Sequence, residues 1–464
     1  MYTHTRLTPL DHTACKWVSA HLDPFKTLLV VLLAALSLFA AQSTLADEPS
    51  PAATARTEDF QTWLARLRQE AIGRGISATT FDRALMGVVP DARVVELDRR
   101  QPEFLEPFLD YLERRVTPAR VEEGRRRLSE LRELLASLQQ RYGIPPHLLV
   151  ALWGLETDYG GHLGQYAVPA ALATLAYEGR RGAFFRAQLL DALAILEEGH
   201  IEPEAMRGSW AGAMGQLQFM PSTFRAYAVD ADGDGRKDLW RSLPDAFASA
   251  AHYLRQLGWQ TDEPWGREVR LPADFDWALA SPGLTRPVSA WAALGVTQAD
   301  GQPLPPSNLP AALLLPQGHK GPAFLVHTNF NLLLAWNRSH HYALAVGILA
   351  DRLRGLPGLL NGQQARHPRL SRRQIIDLQR QLQALGHDAG EIDGVLGPRT
   401  RAAIRAFQRA EGLPADGYAS PELLRMVELR ALTGPHRPAA TAVPASAPVP
   451  DLPAAPVPLL LPES

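Results

Sequence analysis

Cysteine is almost missing from this sequence: of 464 residues one is cysteine, Cys15. A single thiol excludes an intramolecular disulfide and any cysteine-built zinc or iron–sulfur site. A surplus of either charge is missing too, because 47 Lys+Arg stand against 49 Asp+Glu for a formal net charge of -2. That balance argues against a polybasic nucleic-acid binder. Long apolar runs are absent apart from Thr27 to Ala41. What remains is an ordinary soluble composition, 46% hydrophobic and 21% charged, with 38 prolines unevenly placed. At roughly 150 residues per domain, the length has room for about three domains.

The apolar run follows Lys16 and Lys26 and precedes Ser43-Thr44-Leu45-Ala46, whose small residues suit a cleavage site. Residues 1–46 therefore read as a secretory signal peptide and 47–57 as a flexible N-terminus. The alternative is a retained signal anchor, for which the run is short of the roughly 20 residues a spanning helix prefers. Cys15 lies upstream of the run, where it gives no support for acylation at a processed N-terminus. The expected location is the periplasm, against the cell wall, with no stable membrane insertion after cleavage. At the other end, residues 431–464 are Pro/Ala-rich with almost no charge and are expected to be disordered. Residues 355–370 read as a linker. Leu271 to Pro316, with repeated Pro and Gly, reads as short strands and loops.

Helical periodicity spans Ala119 to Tyr142, is broken at Gly143-Ile144-Pro145-Pro146, and resumes in the apolar stretch HLLVALWGLETDYGG. By i, i+3, i+4 spacing, Glu156 shares a face with Leu152, Leu155 and Tyr159. Desolvation on an apolar face raises a carboxyl pKa, and an acid still protonated near neutral pH is what protonation of a glycosidic oxygen needs. Asp158, two residues on, projects to nearly the opposite side and makes a poor catalytic partner. From the helix alone, a salt-bridged surface glutamate is the stronger alternative. The run Ser209 to Pro221, SWAGAMGQLQFMP, mixes small residues, neutral hydrogen-bonding groups and apolar surface. That mixture suits a sugar groove or a tightly packed loop.

Together, Trp153-Gly154-Leu155-Glu156-Thr157, the run Tyr177 to Phe185, the run Ser209 to Pro221, and Asn337-Arg338-Ser339 followed by Tyr342 to Val346 resemble the lytic murein transglycosylase B family. The resemblance covers roughly Phe60 to Leu353. It implies a mainly α protein: a lysozyme-like catalytic core over residues 58–354, with a helical N-terminal region and a small β-containing insertion at about 262–320. It also implies cleavage of the β-1,4 bond between N-acetylmuramic acid and N-acetylglucosamine, leaving a 1,6-anhydromuramoyl end, with Glu156 as the one acid and base. Glycosidases ordinarily use two carboxylates; here the substrate supplies its own nucleophiles.

The same resemblance assigns substrate contacts to Ser209, Met214, Gln218 and Asn337. Arg180 and Arg181 match paired arginines suited to a lactyl or stem-peptide carboxylate. Tyr253 and Tyr342 match aromatic positions that could stack on sugar faces, and Trp336 stands where relatives carry Tyr.

Asp230 to Asp234 read D-x-D-G-D with Gly235 at the sixth position, the opening of an EF-hand loop. Asp230, Asp232 and Asp234 would offer side-chain oxygens and Arg236 its backbone carbonyl. The twelfth position is Arg241, which cannot close a cation shell. By family resemblance a lengthened loop over residues 230–245 is closed by Asp245, with Asp238 able to contribute through water. A structural Ca2+ is therefore expected, and no cofactor for the chemistry. A solvated acidic turn is the alternative.

Over residues 371–430, Ile375, Leu378, Leu382 and Leu385 form a helical stripe, followed by Asp393-Gly394-Val395-Leu396-Gly397 and a second Asp416-Gly417. These resemble the peptidoglycan-binding type 1 domain, a three-helix bundle in which the Asp-Gly turns are mainly structural. The expected partners are glycan strands and, among proteins, cell-wall synthesis or division factors, with the chain acting as a monomer. Two other readings compete: a hydrolytic muramidase, which needs a second carboxylate in the groove, and a non-catalytic wall-binding scaffold.

Overall fold

A computed structural model of the chain describes residues 58–99, 106–178, 181–280 and 283–433. The expected signal peptide with Cys15, the flexible N-terminus, residues 434–464 of the proline-rich tail and Arg180 lie outside the described residues, while residues 431–433, expected in the tail, are helical. Helices dominate: α1 (Phe60–Gly73), α2 (Ala78–Leu85), α3 (Ala92–Arg99), α4 (Phe108–Arg115), α5 (Pro118–Glu130), α6 (Arg132–Tyr142), α7 (Pro146–Thr157), α8 (Val168–Glu178), α9 (Gly182–Glu197), α10 (Pro221–Tyr227), α11 (Leu243–Gln256) and α12 (Val288–Ala293). After the insertion come α13 (Thr328–Trp336) and α14 (His340–Leu353), and the C-terminal bundle holds α15 (Arg372–Ala384), α16 (Pro398–Ala410) and α17 (Pro421–Thr433).

The helix ends follow local chemistry. Thr117 accepts from Arg120 N with Pro118 in the first turn of α5, and Ser339 accepts from Tyr342 N to start α14. Gly143 closes α6 in a left-handed conformation with φ 74°. The periodic stretch Ala119 to Tyr142 is two helices rather than one, joined at Leu131. The halves pack differently: α5 lies on α7 and α14, whereas α6 lies on α11 and α7.

In α7 every residue from Leu148 to Thr157 is buried, so the expected apolar stripe is instead a helix covered all round. Tyr159 does not share a helical face with Glu156. The helix ends at Thr157, Asp158 and Tyr159 adopt φ 51° and 58°, and the Tyr159 ring folds back edge-on against Trp153. A Cβ on Gly154 would come within 2.7 Å of that ring, so the return needs a glycine there.

Two small strands, β1 (Tyr166–Ala167) and β2 (Arg207–Gly208), pair antiparallel beside the loop that follows β2. The insertion is a five-stranded antiparallel sheet of β3 (Gly266–Arg270), β4 (Thr285–Pro287), β5 (Thr297–Gln298), β6 (Pro310–Leu314) and β7 (Ala323–Val326), in the order β4-β6-β7-β3-β5. It extends past the expected residue 320, because β7 is its central strand. Phe324 and Val326 join the main helical core while Ala323 and Leu325 join a separate core with Trp291 and Phe275. The period-two alternation of a strand thus fuses insertion to catalytic unit.

The C-terminal bundle has its own core around Ile375, Leu378, Ile404, Phe407 and Val427. Its two Asp-Gly turns are built alike. Gln379 donates to Asp393 Oδ1 at 3.0 Å and accepts from Gly394 N at 2.9 Å; Gln408 donates to Asp416 Oδ1 at 2.7 Å and accepts from Gly417 N at 2.8 Å. Residues of the insertion meet the bundle and the linker through polar pairs. His319 N and Nδ1 both donate to Asp416 Oδ2, at 2.8 and 2.6 Å, and Lys320 pairs with Glu422. Within the linker, Leu360 N and Asn361 N donate to Glu268, and Arg366 reaches Asp110 and Glu113. Polar pairs spread through the sequence are what sequence periodicity does not reveal.

Candidate active site

Glu156 sits in the last turn of α7 with 8% of its surface exposed. Trp336 Nε1, at the end of α13, donates to its Oε1 at 2.9 Å, and the Tyr342 hydroxyl, in the first turn of α14, donates to the same oxygen. Neither bond uses Oε2. Burial pushes the Glu156 carboxyl up to about 7, against the opposing pull of the Tyr342 and Trp336 donors and of the Arg115 charge. Tyr342, fully buried beside Glu156, is held well above the ordinary phenol value and stays a donor.

Tyr342, expected near a sugar face, and Trp336 both turn toward the acid. Tyr342 is fully buried and Trp336 is 3% exposed, so neither ring is open to a sugar face; both serve as donors to Glu156. Met214 is likewise fully buried. Its backbone exchanges hydrogen bonds with Phe219 at 2.9 Å each way, within the loop. Tyr253 keeps a half-buried ring, tilted against Trp336 at 5.4 Å, with Tyr227 at 4.6 Å and Phe219 at 5.7 Å. This aromatic cluster, and the roles of Tyr227 and Phe219 in it, escaped the sequence reading because its members come from separate elements.

The loop from Ser209 to Pro221 is stapled to α7. Gln216 Oε1 accepts from Trp153 Nε1 at 2.7 Å, its backbone carbonyl accepts from Thr157 Oγ1 at 2.8 Å, and its Nε2 donates to Trp240 O at 2.9 Å. Gly215, with φ 73°, lies where a Cβ would press within 2.6 Å of Leu239 O, so the small residues of this run serve close packing. Ser209 is buried, its Oγ accepting from Ala211 N and Ala213 N at 3.3 and 3.0 Å. Gln218 adopts φ 50°; its Nε2 donates to Gly215 O at 2.9 Å and Leu163 O at 3.2 Å, while its buried Oε1 has no partner. An orphaned buried acceptor is costly unless a ligand donor completes it. Asn337 is buried and accepts from Ser339 N at 3.1 Å.

Arg181 is engaged within the protein: it pairs with Asp98 at 2.9 Å and lies 4.9 Å from the Phe185 ring centre. Asp158 is in an ion pair with Arg120 at 3.0 Å, consistent with its exclusion as a second catalytic acid.

In the acidic loop, carboxylate oxygens of Asp230, Asp232 and Asp245 all lie within 4.8 Å of one another. Asp245, fully buried in α11, accepts from Ala231 N at 2.7 Å and Asp238 N at 2.8 Å, and its carboxyl is pushed up by burial and by Asp232. Three converging hard oxygens fit a divalent cation. Asp234 is not among these three, and its Oδ1 accepts from Arg236 N at 2.8 Å. Asp238 caps Trp240 N and Arg241 N, each at 2.9 Å.

Residues 59–351, well over half of the chain, match the Transglycosylase SLT domain family. The chain belongs to that family. Residues 371–427 of this SLT-domain chain match a peptidoglycan binding domain. It is 34% identical over 246 residues to the membrane-bound lytic murein transglycosylase B of Escherichia coli, a match covering 52% of the chain and 65% of that relative, just under two thirds of its length. Crystal structures of SltB3 from Pseudomonas aeruginosa are similar at 50% identity, over 80% of this chain and 100% of theirs. One, in complex with NAG-NAM-pentapeptide, has a TM-score of 0.77, and the other, with NAG-anhNAM-pentapeptide, 0.75. The Escherichia coli lytic transglycosylase Slt35 in complex with calcium is similar at 30% identity and TM-score 0.54, over 63% of this chain and 92% of that one.

Proposed function

We propose that the chain is a peptidoglycan lytic transglycosylase that cleaves the bond between N-acetylmuramic acid and N-acetylglucosamine and leaves a 1,6-anhydromuramoyl end. The observation that carries this reading is the state of Glu156: buried, raised to about 7, and pinned through Oε1 by two donors from α13 and α14. Oε2 then carries the proton. In the first step Glu156 gives it to the glycosidic oxygen as the C1–O bond breaks, and the 2-acetamido carbonyl oxygen bonds to C1. In the second, the Glu156 carboxylate takes the proton of the C6 hydroxyl as that oxygen attacks C1 and displaces the acetamido oxygen. Trp336 and Tyr342 stabilise the carboxylate formed between the steps. The NAG-anhNAM ligand held by SltB3 supports the product assignment.

Gln218 Oε1 is suited to accept a hydrogen bond from the sugar, with Ser209, Asn337 and Tyr253 as further groove residues. Calcium at Asp230, Asp232 and Asp245 would tie the loop to α11; it takes no part in the reaction. The C-terminal bundle would hold the enzyme on an insoluble polymer and raise its effective concentration there. A signal peptide and a periplasmic site of action fit this substrate. Among the described residues no helix is long and apolar enough to cross a membrane.

Mass spectrometry of muropeptides released from purified sacculi tests the reading. Anhydromuramoyl ends are expected. Reducing ends would make the chain a muramidase, and absence of any soluble product would make it a scaffold.

A further inference from the structure

The corner between α4 and α5 grips the C-terminal turn of the helix that carries Glu156. Helix α7 ends in a tight return in which both Asp158 N and Tyr159 N donate to Trp153 O. Tyr159 N, the regular partner of Leu155 O in a continuing helix, is thereby diverted. Arg115, the last residue of α4, takes that carbonyl: its Nη2 donates to Leu155 O at 2.9 Å. Arg120, in the first turn of α5, pairs with Asp158 at 3.0 Å and donates from Nη1 to Arg115 O. The Tyr159 hydroxyl donates to Arg120 O at 2.7 Å and closes the ring of contacts.

Two positive side chains thus meet a helix C-terminus, where the peptide dipoles favour cations. One of them is bonded to the residue immediately before Glu156. The remaining groups around the carboxyl are the Tyr342 hydroxyl from α14, the Trp336 indole from α13, and Tyr111 of α4, whose ring centre lies 5.9 Å from the Arg115 guanidinium. The Glu106 charge also acts on Tyr111. Among the described residues, the side chains bonded to the Glu156 carboxyl are a neutral indole and a neutral phenol.

We propose that Arg115 is a positioning residue for the transglycosylase reaction: it fixes the final turn that carries Glu156 and supplies the positive charge that the Glu156 carboxylate faces between its two proton transfers. The inference rests on the acid/base reading of Glu156. It adds a residue with no expected contact to sugar, and it gives a reason for two arginines at a corner that otherwise looks like ordinary surface charge. The charge of Arg115 bears in one direction on Glu156, Tyr342 and Tyr111, favouring the ionised form of each.

Trp336 supplies a readout that does not depend on catalysis. Its indole N–H is bonded to Glu156 Oε1, so its NMR resonance reports the Glu156 titration. The resonance is identified as the tryptophan signal whose pH dependence disappears in Glu156→Gln. In Arg115→Gln, which keeps a donor for Leu155 O and removes the charge, the midpoint is expected to move up by about one pH unit. In Arg115→Lys, which keeps the charge, it is expected to stay in place while the rate of muropeptide release falls. An unmoved midpoint in Arg115→Gln, or an equal upward move in Arg115→Lys, overturns the proposal. If Arg115→Gln does not fold, the lysine variant decides alone, since a shifted midpoint there would show that the charge does not govern Glu156. Full activity of Glu156→Gln on sacculi would instead overturn the acid/base reading, independently of where the midpoints fall.

Discussion

Tyr342 donates its hydroxyl to the carboxylate oxygen Oε1 of Glu156 from 186 residues further along the chain. Removing that donor leaves Trp336 alone on the oxygen. In Tyr342→Phe the rate of muropeptide release is expected to fall on the order of tenfold, the equivalent of about 1–2 kcal/mol for one buried hydrogen bond. Because the lost donor had favoured the ionised acid, the alkaline limb of the pH–rate profile moves upward in the same variant. A rate within twofold of wild type and an unmoved limb would show that the bond is passive.

The acid step needs Glu156 protonated, so wild-type activity is expected to decline as pH rises through about 7. Rates of release from sacculi between pH 5 and 9 check this. A plateau extending past pH 8 would contradict a site governed by this carboxyl.

Glu156 also costs stability. Its folded value of about 7 lies above its ordinary 4.5, so the folded state binds the proton more tightly and loses stability as pH rises through that window. Glu156→Gln keeps an acceptor for Trp336 and Tyr342 without the charge. The variant is expected to be inactive yet more stable than wild type at pH 8, by on the order of 2–3 kcal/mol, with the difference vanishing below about pH 4.5. Denaturant melts at pH 4 and pH 8 measure it, and a destabilised variant at pH 8 would refute the buried-acid account.

Calcium is expected to raise the melting temperature, and Asp232→Ala or Asp245→Asn to abolish the rise. Substitution of Asp234, outside the converging oxygens, should leave most of it. Melting curves unchanged by chelator would remove the site.

The bundle joint has its own test. Burial pushes the Asp416 carboxyl up, yet donors from His319, Tyr418 and Gln408 outweigh it and hold the group below its ordinary 3.8. Asp416 therefore contributes stability above that value and loses it as pH falls through the lowered one. His319→Ala removes the imidazole donor to Asp416 and keeps the backbone one, and is expected to quicken proteolytic cleavage within residues 355–370 while leaving the bundle folded. Asp416→Ala should destabilise the bundle as well, by about 1–3 kcal/mol. Equal proteolysis of wild type and His319→Ala would show that the joint does not rest on this pair.

The helices around the site were legible in outline because their signals are local. Thr117-Pro118, Gly143 and Ser339 mark ends by the hydrogen bonds and φ values that their own side chains allow. From its helix alone Glu156 read more readily as a surface glutamate, and the family resemblance turned the reading toward a catalytic acid. The burial of Trp336, Tyr342 and Met214 was not legible in the same way. Aromatic and thioether side chains look alike in sequence whether they line a groove or fill a core, and burial decides between the two.

By itself, then, the sequence determined the balance of charge, the near absence of thiols, the helical order, the acid and the acidic loop, since each depends on residues close together in the chain. Only the tertiary structure decided what surrounds that acid. Trp336 and Tyr342 reach it from two further helices, Arg115 grips its last turn from a fourth, and Asp245 closes on Asp230 and Asp232 across a buried helix start. The physical reason is that desolvation and charge act through space. The same Glu156 in an exposed helix would be an ordinary carboxylate, and its proton is kept near neutral pH by packing that no local pattern encodes.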